Sequence, residues 1–109
     1  MNTAYKKQME EMGGIYLKDK LGVEEWAFNR EDALKLLEDR RSKNIACSGG
    51  DVIVEDESGK FSYPGANWYC QSDQFKTTEE YVEGSFKKAS DYINNFSEKP
   101  DHKYFYVLV

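Results

Sequence analysis

Few side chains in this sequence could do chemistry. They are one histidine, His102, two cysteines, Cys47 and Cys70, and a run of carboxylates at Asp51, Glu55, Asp56 and Glu57. His102 follows Asp101 in the segment before the last apolar run. General acid–base work needs a nucleophile or second acid held within reach, and the flanking sequence supplies neither. Cys70 as nucleophile with His102 as base is a pair the composition formally permits. The apolar surroundings of both cysteines instead predict buried, inert thiols. A single histidine and the lack of a C-x-x-C pair speak against a zinc site. Asp51 and Glu55 fall on one face of a predicted strand, alternating around Ile53. Paired carboxylates can hold a divalent cation or move protons. This spacing is foremost that of a solvated strand face, then of a partner surface, and last of a metal site. No catalytic residue, cofactor or metal ligand is therefore assigned.

The aromatic group Tyr63, Trp68 and Tyr69 lies among Pro, Gly, Asn and Ser, a loop-like setting. Core packing is the ordinary fate of such rings, but Trp and Tyr are also enriched at interface hot spots. Together with the acids they make the candidate partner-binding set: Asp51, Glu55, Asp56, Tyr63, Trp68 and Tyr69. Gly49-Gly50-Asp51 matches neither a phosphate-binding loop nor a dinucleotide fingerprint. Two glycines permit a left-handed turn or a bulge between strands. Asp51 then either bonds the turn's own N–H groups or stays exposed to meet a partner.

These residues sit in a chain of 109 residues, a length that predicts one domain over 1–109. Six Phe, eight Tyr and two Trp bury large areas per residue, which excludes a disordered chain. Twenty Asp and Glu against 15 Lys and Arg leave a net charge of −5. That balance speaks against non-specific nucleic-acid binding, which needs cations to neutralise phosphates. No run approaches the ~20 apolar residues of a membrane span. The first residues hold Lys6, Lys7, Glu10 and Glu11 and no apolar core of a signal peptide. A cytoplasmic location with both thiols reduced is the expectation.

The elements follow from periodicity and caps. Asn2 to Met12 reads as a helix with Tyr5, Met9 and Met12 on one side, stopped by Gly13-Gly14. Glu24 to Phe28 reads as a turn. Asn29 caps a helix with Ala33, Leu34, Leu36 and Leu37 on its apolar face, ended by Asn44. Ile45 to Ser48 reads as a short strand, and Asp51 to Asp56 as a second, with Val52 and Val54 opposite Asp51, Ile53 and Glu55. A turn at Glu57-Ser58-Gly59-Lys60 returns the chain through Phe61 to Tyr63. Asn67 to Cys70 reads as extended. Thr77 opens the strongest helix, with Glu80 at capping-box spacing and a stripe of Val82, Phe86, Ala89, Ile93 and Phe96. Gly84 within it implies a close neighbour. Lys103 to Val109 is apolar on both faces, the pattern of an interior strand. The expected architecture is α+β: two or three helices on a small, mainly antiparallel sheet with the C-terminal strand central.

The order of short motifs is itself a signal. Leu21-Gly22-Val23 with Trp26-Ala27, Asp32-Ala33-Leu34-Lys35-Leu36-Leu37, Gly49-Gly50-Asp51-Val52, Asn67-Trp68-Tyr69, Glu80-Tyr81 with Ser85, Ala89 with Tyr92-Ile93, and Tyr104 to Val109 together resemble the Immunity protein 40 family. The resemblance runs from about Ile15 to Val109. Ser48, where an apolar residue is expected, and Ala66, where an acidic one is, depart from the pattern. Membership implies a protein of bacterial polymorphic toxin systems that binds and neutralises a cognate toxin without catalysis. The acidic charge suits a basic nuclease toxin as the partner. The competing reading is a small adaptor domain that uses the same surface for a partner other than a toxin.

Overall fold

The structure, a computed structural model, describes residues 3–109. Its helices end where local chemistry says they must. Helix α1 spans Thr3–Glu11 and buries Met9; Gly13, at φ 87°, turns the chain away. Asn2, placed in that helix by its periodicity, lies outside the described residues. A four-residue helix, α2 (Lys18–Leu21), ends on left-handed Gly22. Helix α3 spans Arg30–Ser42, and the Asn29 side chain accepts from the Asp32 N–H at 2.8 Å. Asn44, at φ 60°, closes it. Helix α4 spans Thr78–Asn95, and Thr77 Oγ1 accepts from the Glu80 N–H at 3.1 Å. The Glu80 carboxylate reaches back to the Lys76 N–H at 3.1 Å, one residue earlier than a reciprocal capping box would have it. At the far end Arg30 donates from Nε to the Ile93 carbonyl at 3.0 Å and from Nη2 to the Phe96 carbonyl. A cation thus meets the unpaired carbonyls of the α4 terminus.

Strand β3 (Gly49–Glu55) is the axis of the sheet. Strands β4 (Phe61–Ser62) and β5 (Asn67–Tyr69) pair with its two ends along one edge, and β6 (Lys103–Leu108) pairs along the other, all antiparallel. A two-stranded ribbon of β1 (Ile15–Tyr16) and β2 (Trp26–Ala27) abuts β6 through Phe28. Phe28 and Tyr106 exchange both backbone hydrogen bonds, at 2.9 and 2.7 Å. The C-terminal strand therefore has neighbours on both edges, and the α+β architecture is as the pattern predicts.

Two local expectations are corrected. Ile45 to Ser48 is not a strand. The Ile45 N–H closes on the Arg40 carbonyl at 2.9 Å, and the Cys47 N–H goes to the buried Ser85 hydroxyl at 3.1 Å, so neither is left for a ladder. The strand begins instead at Gly49, and both glycines lie inside it. Ser48 N–H donates to the Val109 carbonyl while Val109 N–H donates to the Gly49 carbonyl, each at 2.9 Å. Two residues thus face one, the pattern of a β-bulge. Nor is Glu24 to Phe28 a turn: its second half is β2, because its alternation sends Trp26 and Phe28 to one side and Ala27 to the other.

The sheet is covered on both faces. Val52, Val54, Tyr104, Tyr106 and Leu108 meet Leu36, Leu37, Ala89 and Ile93 of the helices on one side. Ile53, Phe61, Phe105 and Val107 meet Leu17 and Ala27 of the 15–28 segment on the other. Gly50 exists to let the Trp68 indole lie against the sheet: a Cβ there would sit 2.3 Å from Trp68 Cη2 and 2.3 Å from the Val107 carbonyl oxygen. Gly84 likewise makes room for Phe75, whose ring would lie 2.3 Å from an added Cβ.

Candidate partner-binding surface

The β3–β5–β6 register brings distant motifs into one place. Gly49 lies opposite Tyr69, Gly50 opposite Trp68 and Leu108, and Asp51 opposite Asn67 and Val107. Side chains alternate across a strand, so Trp68 and Tyr69 go to opposite faces. Trp68 is 6% exposed and stacks on Tyr92 with ring centroids 4.8 Å apart. It is a core residue under α4. Tyr69 is 64% exposed, with Lys88 Nζ 5.5 Å from its ring centroid. Beside it Gly49 adds no side chain, and the exposed Asn67 and Val109 continue the surface.

Asp51 stays half-exposed on that face, and no described hydrogen bond uses its carboxylate. Of the two roles open to it, facing outward is the one the geometry supports. Tyr63 is 46% exposed and stands close enough to Glu25 and Asp51 to sense both. Partial burial first, and then these two carboxylates, push its phenol above the usual tyrosine range. Asp51, Tyr63 and Tyr69 thus gather at the Gly49 end of the sheet, joined by Glu25, Asn67 and Val109.

The remaining acids lie elsewhere. Glu55 is at the far end of β3, opposite Lys103, and buried Ile53 separates it from Asp51. Asp56 organises the hairpin turn. Its Oδ1 accepts from Ser58 Oγ at 2.6 Å, from the Ser58 N–H at 2.9 Å and from the Lys60 N–H at 3.0 Å. The Ser58 hydroxyl, followed by these N–H groups, holds the carboxyl below the usual range. Gly59 takes the left-handed conformation at φ 86°, as the turn sequence predicts.

The cysteines do not converge with the histidine. Cys47 and Cys70 are buried. Cys47 Sγ donates to the Gly49 carbonyl at 3.3 Å, and burial pushes its thiol up, away from the nucleophilic thiolate. His102 Nδ1 lies 2.9 Å from Asp101 Oδ1. Both belong to the end of the sheet that carries Glu55 and Asp56, whereas Cys70 follows β5 and continues the pairing at the Gly49 end, its N–H bonding the Ser48 carbonyl at 2.8 Å. Among the described residues no three His, Cys, Asp or Glu side chains are grouped to hold a metal ion. No described helix is long and apolar enough to cross a membrane.

A family model, Immunity protein 40, matches residues 16–109. The chain belongs to that family. The Immunity protein 40 match takes in the whole sheet and three of the four α-helices, α1 excepted. Its span includes every residue of the surface just described. No curated protein matches the chain, and no solved structure does. The family name points to an immunity protein of a toxin system. The parts of this surface the sequence did not yield are Glu25, Asn67 and Val109. The alternation of Glu25, Trp26, Ala27 and Phe28 was the available signal for the first.

Proposed function

We propose that this chain neutralises a cognate bacterial toxin of a polymorphic toxin system by binding it one-to-one, with no chemistry of its own. Membership of the Immunity protein 40 family over residues 16–109 carries the reading. The net charge of −5 supports a basic partner, and a nuclease toxin is basic on the surface that holds nucleic acid. An acidic protein competes for that surface, and charge complementarity speeds encounter. Asp51, Tyr63 and Tyr69 are the contact residues in this account. The two tyrosines act as anchors. A standard interface buries ~800 Å² on each side, so neighbouring residues complete it. Trp68, Glu55 and Asp56 act from the core, the far end of β3 and the hairpin, outside the contact.

The test is co-expression in bacteria with the toxin encoded immediately upstream of the gene. Growth is restored by this chain, and the two proteins elute as one complex. Continued killing despite an excess of folded protein overturns the reading.

A further inference from the structure

Strand β5 pairs with β3 alone, so one of its edges is open. The hydrogen bonds on the paired side say which backbone groups line the open one. The Ala66 carbonyl accepts from the Val52 N–H at 3.0 Å, and the Cys70 N–H donates to the Ser48 carbonyl at 2.8 Å. Backbone groups two residues apart on a strand point to the same edge. Ala66, Trp68 and Cys70 therefore turn toward β3, while Asn67 and Tyr69 turn their N–H groups and carbonyls outward. Among the described residues nothing bonds those outward groups. Asn67 and Tyr69 are exposed, and exposed residues flank them at Tyr63 to Gly65 and at Gln71 to Gln74. The exposed Lys88 of α4 stands beside this edge, its Nζ 5.5 Å from the Tyr69 ring centroid.

An unpaired edge is a template for another extended chain. A second copy of this protein is a poor occupant. Each copy carries a net charge of −5, and a lysine at an edge is a common guard against self-pairing. Three residues of strand, Asn67–Tyr69, also bury far less than the ~800 Å² per side of a stable interface. A toxin strand suits the edge better, because the edge runs into the Asp51–Tyr63–Tyr69 surface. Asn67 lies directly opposite Asp51 in the register, and Tyr69 belongs to β5 itself. A strand added beside β5 places alternate side chains on the face that carries Asp51 and Tyr69. Its residue opposite Asn67 lies two strand spacings from Asp51, about 10 Å, which a long cationic side chain and the Asp51 carboxylate span together. We propose that the outer edge of β5 receives an extended strand of the toxin, which exchanges backbone hydrogen bonds with Asn67 and Tyr69 and directs an Arg or Lys opposite Asn67 toward Asp51. This rests on the toxin-binding function proposed above and names how its surface is engaged. Lys88 gives way to the strand, since an exposed cation is held only weakly by a ring.

The experiment uses the full chain and the purified toxic domain encoded immediately upstream. Amide hydrogen exchange of Asn67, Trp68 and Tyr69 is followed in the free chain and in the complex. The Asn67 and Tyr69 amides are expected to slow by about 100-fold or more on binding, while Trp68, already paired with Gly50, changes little. Proline is tolerated in a strand where the N–H it lacks faces away from the ladder. Asn67→Pro therefore keeps the pairing with β3 and removes one outward donor. It is expected to weaken binding by at least ~10-fold, and Asn67→Ala, which keeps the donor, by less. The exchange measurement is made on the unaltered chain and decides the matter if the proline variant does not fold. A wild-type complex in which Asn67 and Tyr69 exchange as before, or a folded Asn67→Pro variant of full affinity, overturns the edge proposal and leaves the toxin-binding function standing. Sedimentation showing that the chain alone dimerises, with these two amides protected in the dimer, overturns it equally, because a second copy then holds the edge. A wild-type chain that forms no complex with that domain overturns the function, and the edge proposal with it.

Discussion

Replacing Gly50 by alanine tests whether the Trp68 indole and the sheet are locked together as described. The added Cβ lands 2.3 Å from the Val107 carbonyl oxygen and 2.3 Å from Trp68 Cη2. Both are more than an ångström inside van der Waals contact, which begins near ~3.5 Å. The carbonyl belongs to β6, held against β3 over six residue pairs, so it does not yield. The indole is held by Tyr92 at 4.8 Å between centroids. Overpacking at one such contact costs about 1–3 kcal/mol. Two contacts, one of them backbone, place the variant near the top, about 3 kcal/mol. A chain of this size has roughly 5–15 kcal/mol of stability, so the variant still folds, with Tm lowered on the order of 15 °C. Urea unfolding followed by far-UV circular dichroism measures the loss. Adding Trp68→Leu removes one of the two overlaps. The double variant is then less destabilised than the sum of the singles, by about 1 kcal/mol. A Gly50→Ala variant within about 0.5 kcal/mol of the parent, or strictly additive singles, would mean that Gly50 and Trp68 are not locked together.

Three other outcomes follow from named contacts. Trp68→Ala costs about 3–5 kcal/mol through the cavity under α4, whereas Tyr69→Ala, exposed on the other face, leaves urea stability within about 0.5 kcal/mol; parallel denaturation curves distinguish them. Arg30→Ala leaves the Ile93 and Phe96 carbonyls and Glu98, 3.4 Å from Arg30, without their cation. It costs about 2 kcal/mol and increases exchange of amides in the last turn of α4. The Asp56 carboxyl, held low by Ser58 and the turn N–H groups, titrates below the usual carboxylate range in a carbon-detected NMR titration, and Ser58→Ala moves it upward. The hairpin support from Asp56 is accordingly complete above the unfolded-state pKa and is lost as pH falls through the lower folded-state value.

What the sequence made legible was local or periodic. Asn29 and Thr77 declared their helices through caps satisfied within three residues. The double-sided apolar run at Tyr104 to Leu108 declared an interior strand, because each of its faces has its own core. The misplaced elements depend on partners far along the chain. Ile45 to Ser48 has the composition of a strand, but Ser85, 38 residues beyond Cys47, takes its hydrogen bond. Two residues of β2 carry too short a pattern to outweigh a turn-like setting, and only Ile15 and Tyr16 show what they pair with. The site divides in the same way. Tyr69 and Trp68 are neighbours in sequence with the same loop-like flanks, and only the pairing of β5 on β3 sends one outward and the other beneath α4. Asp56 reads as one more surface acid until the turn N–H groups that it gathers are in place.

The central claim is stoichiometric occupation of a toxin, and a titration of toxin activity tests it most directly. Increasing amounts of this chain are added to a fixed amount of the toxic domain encoded upstream, well above the dissociation constant, and residual activity is read after equilibration. One-to-one binding gives a straight decline that reaches zero at one equivalent and does not deepen with time. Full inactivation by a small fraction of an equivalent, growing with incubation, would mean turnover. Undiminished activity at large excess would mean no engagement, and either result rules out stoichiometric neutralisation.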